Sequence, residues 1–257
     1  MWRTVMKVAV VTGASSGIGR SAAVRIAERG IGVILTYGSN PQGAQDTVDT
    51  IRTAGGSAVA LHLDLGDSAG FGSFRDAVAQ ALHDTWGRDT FDFLVNNAGF
   101  AHAAPIADMA EEDFDRLASV LLKGPYFLTQ RLLPLLADGG AVVNVSSNSA
   151  TTAAPEPGYS AYAAMKGALN VLTGYMAKEF SPRGIRVNAV SPGATRTRLS
   201  DDAFTRFPEV IPELAARTAF GRVGEPDDIG EMTAVLVGDE SRWVTAQNIE
   251  VSGGYGL

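Results

Sequence analysis

The 257-residue chain contains no cysteine, which excludes disulfides and thiolate-ligated metal sites outright. Histidine is scarce too: His62, His83 and His102 are the three, and their spacing fits no metal-ligand pattern. Positive charge is in deficit, with 21 Lys and Arg against 28 Asp and Glu and a net charge of −7. The arginines form no run, so a nucleic-acid surface, which needs a basic excess, is not expected. The sequence also lacks an apolar run of about 18 residues, the length that crosses a membrane. Its opening, Met1-Trp-Arg-Thr-Val-Met-Lys7, has no apolar stretch of the secretory-leader kind. The expectation is a cytoplasmic protein that engages neither nucleic acid nor membrane.

What is present is an ordinary globular composition, 46% hydrophobic and 19% charged. Short runs rich in Val, Ile and Leu at 7–12, 33–37, 58–63, 91–96, 141–146, 186–191 and 248–251 read as strands. Helical patterns lie between them at 17–29, 41–54, 68–86, 111–136, 159–180 and 227–237. Strands apolar on both faces fit a parallel sheet covered by helices on each side. Repeated right-handed β-α-β crossovers then predict a Rossmann-like, doubly wound α/β fold with about seven parallel strands. No linker or low-complexity stretch divides the chain, so one domain is expected over 1–257. The segment 193–224 breaks the alternation, contains Pro208 and Pro212, and follows the carboxyl end of a strand, where a substrate lid is expected.

The first strand, Val8-Ala-Val-Val-Thr12, runs into Gly13-Ala-Ser15-Ser16-Gly17-Ile18-Gly19 and then a helical pattern. Glycines let backbone amides approach a pyrophosphate, and the helix N-terminus behind them favours negative charge. The spacing G-x-x-x-G-x-G differs from the commoner G-x-G-x-x-G dinucleotide fingerprint. Asn96-Asn97-Ala98-Gly99 closes the fourth strand, where small residues and amides can line the ribose side. Asp64-Leu65 after the third strand can address the adenine, although a turn-forming Asp is the alternative. Tyr162-Ala-Ala-Met-Lys166 puts a phenol and an ammonium on one helix face. A lysine cation beside a tyrosine favours the phenolate and draws its pKa toward neutrality. That pair alone is weak evidence, since a solvated helix face produces it too.

With these residues assembled, the chain resembles the short-chain dehydrogenase/reductase family over nearly its whole length, in the style of 3-oxoacyl-carrier-protein reductases. The family's glycine motif matches Thr12-Gly-Ala-Ser-Ser-Gly-Ile-Gly19, its structural motif Asn96-Asn-Ala-Gly99, and its active-site motif Tyr162-x-x-x-Lys166. Ser191-Pro192-Gly193 matches the segment that lies against the nicotinamide in relatives, with Thr195 just beyond it. The resemblance implies hydride transfer between a nicotinamide cofactor and a carbonyl or alcohol substrate, such as a 3-oxoacyl thioester or a ketone. Tyr162 would be the general acid in reduction and the base in oxidation. Lys166 would tune it and hold the ribose hydroxyls. A serine at the end of the fifth strand would hydrogen-bond the substrate oxygen. Anchoring on Asn144-Val-Ser-Ser147 selects Ser147, whereas counting back from Tyr162 by the family's usual distance selects Ser149; the strand-end anchor is preferred. The resemblance also implies a homo-oligomer, a tetramer or a dimer, built through the long helices.

Two departures stand out. Val120-Leu121-Leu122-Lys123-Gly124 puts Leu121 where relatives carry an asparagine that helps hold a water near the lysine, which puts the proton route in doubt. Ser252 stands where relatives often have Asp. For the nucleotide, the second strand ends Leu35-Thr-Tyr37-Gly-Ser39-Asn40, with no acid between Glu28 and Asp46 to bind an NAD ribose. Tyr37, Ser39, Asn40 and the following amides are free to meet a 2′-phosphate, so NADP(H) is favoured over NAD(H). The alternatives are an NAD-dependent sugar or alcohol dehydrogenase and a non-catalytic nucleotide-binding protein. Phe204, Phe207, Ile211 and Phe220 stand in the lid beside Arg196, Arg198 and Arg206, leaving apolar and anionic substrates both open. His102, Pro105, Glu156 and Tyr159 are expected near the pocket.

Overall fold

Seven short apolar runs form one parallel sheet in the order β3-β2-β1-β4-β5-β6-β7. The strands are β1 Val8–Val11, β2 Gly32–Tyr37, β3 Ala58–His62, β4 Phe91–Asn96, β5 Leu136–Val145, β6 Arg186–Pro192 and β7 Asn248–Val251. This computed structural model describes residues 6–151 and 155–257, with the backbone alone at Ser200, Asp201 and Ala203. Residues 1–5, read above for a leader, lie outside it. No helix among the described residues is long and apolar enough to cross a membrane.

Alternation along each strand feeds two cores. From β1, Ala9 and Val11 face one layer and Val8 and Val10 the other. The first layer holds α1 (Gly17–Glu28), α2 (Pro41–Thr53) and α9 (Pro226–Val237), through residues such as Ile26, Val48 and Ile229. The second holds α3 (Phe71–Trp86), α5 (Gly124–Leu132) and α6 (Ser160–Phe180), through Phe71, Leu82, Leu128 and Met176. Burying each large side chain of this kind stabilises the fold by roughly 1.5–3 kcal/mol. The chain winds outward from β1 to β3, returns to start β4 beside β1, and continues to β7. Strand order therefore reverses between β1 and β4, and the carboxyl ends there splay to leave a crevice.

Two expected elements differ. The single helix expected over 111–136 is α4 (Glu111–Ala118), a π-helical turn Ser119–Lys123, then α5, with a 3-10 turn Leu133–Leu135 after it. Helical periodicity is nearly the same through a π turn, so the apolar pattern ran on unbroken. β5 also starts at Leu136 rather than at 141, because Phe91 pairs with Leu136 across a register shift and Gly139 bends the strand at φ +74°. The lid segment is partly ordered as α7 (Leu199–Arg206) and α8 (Val210–Ala216). Pro212 sits in the first turn of α8, where a missing N–H costs no helical hydrogen bond.

Candidate active site

The glycine turn between β1 and α1 is held from beneath. Thr12 is fully buried, and its Oγ1 accepts from the backbone amides of Asn97 and Ala98 at 2.9 and 3.0 Å. Asn97 answers by donating Nδ2 to the carbonyls of Thr12 and Gly13, at 2.8 and 3.2 Å. Its amide is therefore spent on fixing the turn. Gly13 has φ +65°, and a Cβ there would stand 2.7 Å from the Cα of Ala98, so no other residue fits between these two loops. Ser16 occupies the N-cap of α1 yet makes no side-chain capping bond. The first-turn amides of α1, from Gly17 through Gly19, face an approaching anion unmasked. Ser15, Ser16 and Ile18 are half-buried around that mouth.

Across the crevice, Tyr37 at the end of β2 stacks edge-on against His62 at 5.6 Å. Ser39 is exposed. Asn40 caps α2, accepting from the amide of Gly43 at 3.0 Å, and no acid stands in the first turn of that helix. Asp64 is exposed and closes a local turn by accepting from Gly66 N at 2.8 Å, and Leu65 is buried in the core beneath Gly124. Gly193 sits so close to Ser252 that a Cβ would meet its Cα at 2.8 Å, while Thr195 turns its hydroxyl back to the Gly193 carbonyl at 2.9 Å. Pro192 ends β6 beside them.

The chemical groups gather where β5 meets α6. Ser147, just past the end of β5, hydrogen-bonds the Tyr162 hydroxyl, and its Oγ also lies 3.1 Å from both the backbone N and the Oγ of Ser149. Ser147 is thus the serine in contact with the tyrosine, and Ser149 backs it. Ser146 donates instead to the Lys166 carbonyl at 3.0 Å, a structural bond. Lys166 Nζ lies 5.8 Å from the centre of the Tyr162 ring and donates to the Val145 carbonyl at 2.7 Å. Tyr162 and Lys166 are only 7% and 5% exposed. Burial pushes the tyrosine pKa up to about 12, the Ser147 bond pulling it part of the way back. Burial also lowers Lys166 to about 8. The lysine was expected to lower the tyrosine, but desolvation sets the direction of the shift, and the phenol keeps its proton through the neutral range.

Comparison with known proteins matches this arrangement along nearly the whole chain. A family model described as enoyl-(acyl carrier protein) reductase matches residues 13–256. An uncharacterised oxidoreductase of Methylorubrum extorquens is 40% identical, over 96% of this chain and 97% of its own. The chain belongs to the short-chain dehydrogenase/reductase family. Among solved structures, the promiscuous reductase LugOII, which catalyses keto-reduction at C1 in lugdunomycin biosynthesis, aligns with TM-score 0.92 and 38% identity over 100% of both chains. The angucycline C-6 ketoreductase LanV with bound NADP aligns with TM-score 0.92 and 33% identity, covering 98% of this chain and 97% of that one. The protein is accordingly an NAD(P)-dependent short-chain dehydrogenase/reductase acting on CH–OH groups of small molecules.

In this short-chain reductase Leu121 lies within the π turn and is 1% exposed. Its Cδ2 fills the space above Gly99, and its side chain packs with Tyr162 and Met165. A hydrocarbon offers Lys166 no hydrogen bond, and the Val145 carbonyl is the partner the ammonium has. Reading the sequence missed the positioning residues. Thr12 has no role of its own in the glycine motif, though a threonine directly before a glycine turn, at the end of an apolar strand, is itself a signal. Asn96 and Asn144 stand in the motifs with no role of their own, yet Asn96 Nδ2 donates to Asn144 Oδ1 at 2.9 Å and to Thr129 Oγ1 at 3.1 Å, and Asn144 passes the chain to Thr173 on α6 at 2.9 Å. This buried ladder ties β4 and β5 to the tyrosine-bearing helix. Among the described residues no group of three or more His, Asp or Glu is placed to hold a metal.

Proposed function

We propose that the protein is an NADP(H)-dependent carbonyl reductase in which Ser147, Tyr162 and Lys166 do the chemistry. The observation that carries this reading is the Tyr162 hydroxyl: buried, bonded to Ser147, beside Lys166, and at the crevice where strand order reverses. The unmasked amides of α1, with Gly13, Gly17 and Gly19 around them, suit a dinucleotide pyrophosphate, and a bound nicotinamide would supply the hydride. The chain's own groups then act on the carbonyl oxygen. Ser147 and Tyr162 donate hydrogen bonds to it, stabilising the negative charge that develops there. Tyr162 gives up its proton as the alcohol forms, helped by the nearby ammonium of Lys166, which is charged below about pH 8. The segment 193–224 acts as the lid over a single domain, with Thr197 resting on Gly17.

The preference for NADP(H) is supported by the absence of an acid at the β2–α2 junction, by the exposed Ser39 hydroxyl, and by the NADP carried by LanV. Calorimetric titration is expected to show tighter binding of NADPH than of NADH. Ser39→Asp is expected to erase or reverse that preference by repelling the 2′-phosphate. Equal affinities in the starting protein would remove the basis for it. We also infer a homo-oligomer working in the cytoplasm, supported by exposed Tyr126 and Phe127 on α5 and Val171 and Tyr175 on α6. Light scattering at micromolar concentration checks it, and a monomer would count against it.

A further inference from the structure

Resting on the carbonyl-reductase reading, we propose that the substrate is a neutral ketone on a bulky apolar ring framework, not one bearing a carboxylate, a phosphate or a coenzyme thioester. Two independent features of the mouth carry this. The first is the wall beside the reacting hydroxyl. Tyr162 belongs to a cluster with Leu117, Leu121 and Met165, against which Phe100, Met109 and Tyr159 pack part-buried. Tyr159 meets the Tyr162 ring edge-on at 6.2 Å, and the Phe100 ring is held under the Arg116 guanidinium at 4.6 Å. The loop that bears Phe100 is tied to the loop before α6 by Ala104 N donating to the Gly158 carbonyl at 2.9 Å. The result is a hydrocarbon and aromatic surface next to the proton donor, with Leu121 removing the polar group from its floor. Flat rings gain contact area on such a wall at little ordering cost.

The second feature is charge. An anionic substrate needs a positive field at the mouth to draw it in and to replace its hydration. The lid carries five arginines, and among the described residues Arg196 faces Glu225 at 3.0 Å, Arg198 faces Asp202 at 3.3 Å, Arg222 faces Asp228 at 2.6 Å, and Arg217 is bound by both Glu156 and Glu213. Arg206 lies over the Phe207 ring. Individual exposed pairs are weak. Taken together, however, these five acids offset the lid arginines they face, on a chain whose overall charge is −7. His102 adds none, standing 3.4 Å from Asp113. Lys166, the cation nearest the chemistry, is buried and already donates to a backbone carbonyl.

The test compares 1-tetralone with acetoacetyl-CoA as NADPH-dependent substrates of the intact enzyme, at low and high sodium chloride. The expected result is a kcat/KM at least about tenfold higher for 1-tetralone, on the scale one well-matched apolar contact region gives, with a KM indifferent to salt. Binding is read separately by calorimetry with the inactive Tyr162→Phe protein loaded with NADP+. There 1-tetralone is expected to bind, and a further Phe100→Ala change to weaken it about tenfold. Glu156→Gln combined with Glu213→Gln, which takes both carboxylates from Arg217, is expected to improve acetoacetyl-CoA relative to 1-tetralone. A preference for acetoacetyl-CoA that fades with salt would overturn the inference while leaving the carbonyl-reductase reading intact. Tight NADPH binding with turnover of neither ketone would overturn that reading, and the inference with it.

Discussion

Tyr162→Phe is expected to lower kcat for any ketone the enzyme reduces by at least about 10²-fold, the usual scale for losing a positioned acid, which is some 2.7 kcal/mol of barrier. The change is narrow. The ring keeps its packing against Tyr159, Ala161 and Met165, and only the hydroxyl that meets Ser147 is lost. Removing one buried, satisfied hydroxyl costs about 1 kcal/mol of stability, too little to unfold a domain of this size. NADPH binding is expected to stay near its starting value, because the glycine turn and α1 are built on Thr12, Asn97 and Thr36 and not on this side chain. Steady-state kinetics beside calorimetry separate the two. A phenylalanine variant with undiminished turnover would remove Tyr162 from the chemistry.

Lys166→Met should change how stability depends on pH. The folded lysine titrates near 8 because it is buried, against 10.5 when exposed. Between those values the unfolded chain binds a proton that the folded one does not, so stability conferred at this site rises with pH across that window. Below about pH 8 both states are charged, and wild type carries the full penalty of a buried ammonium. Methionine carries none, though it strands the Val145 carbonyl, a cost that pH does not alter. The difference in unfolding free energy, wild type minus variant, is therefore expected to climb by roughly 3 kcal/mol from pH 8 to 10.5, an order-of-magnitude figure from the shift in pKa. Tyr162 contributes equally to both proteins and cancels below pH 10. Denaturant melts at matched pH provide the check, and parallel curves would mean the lysine is not desolvated. Activity should fall as well, since the phenol loses its neighbouring ammonium.

The architecture was legible because parallel strands buried on both faces read as continuous apolar runs, and all seven lay where those runs stand. The π turn at Ser119–Lys123 was not legible, since Val120, Leu121 and Leu122 present the same apolar stripe to either helix type. The early start of β5 was hidden by Gly139 and Gly140, which read as a connection and instead form the bend of a strand. The motif residues fall at the carboxyl ends of β1, β4, β5 and β6 and on α6, whereas the direction of each side chain needed coordinates. Asn97 serves the turn, Asn40 caps α2, and Asp64 closes its own loop. Electrostatics was the least legible part. Adjacency on a helix suggested a lowered tyrosine pKa, but depth of burial is a property of the assembled fold and set the opposite sign.

The sheet also divides labour along the chain. On the proposed reading, the turns that would face a nucleotide come from β1 through β4, the groups that would react from β5 and α6, and the mouth from segments between and after them. Mutations in the loops around Phe100, Glu156 and the lid can therefore accumulate while both halves of the machinery stay fixed by their own buried ladders. Relatives separated by two-thirds of their residues can share one reaction yet act on unlike molecules, and the rim is where any reassignment of this protein's specificity would be written.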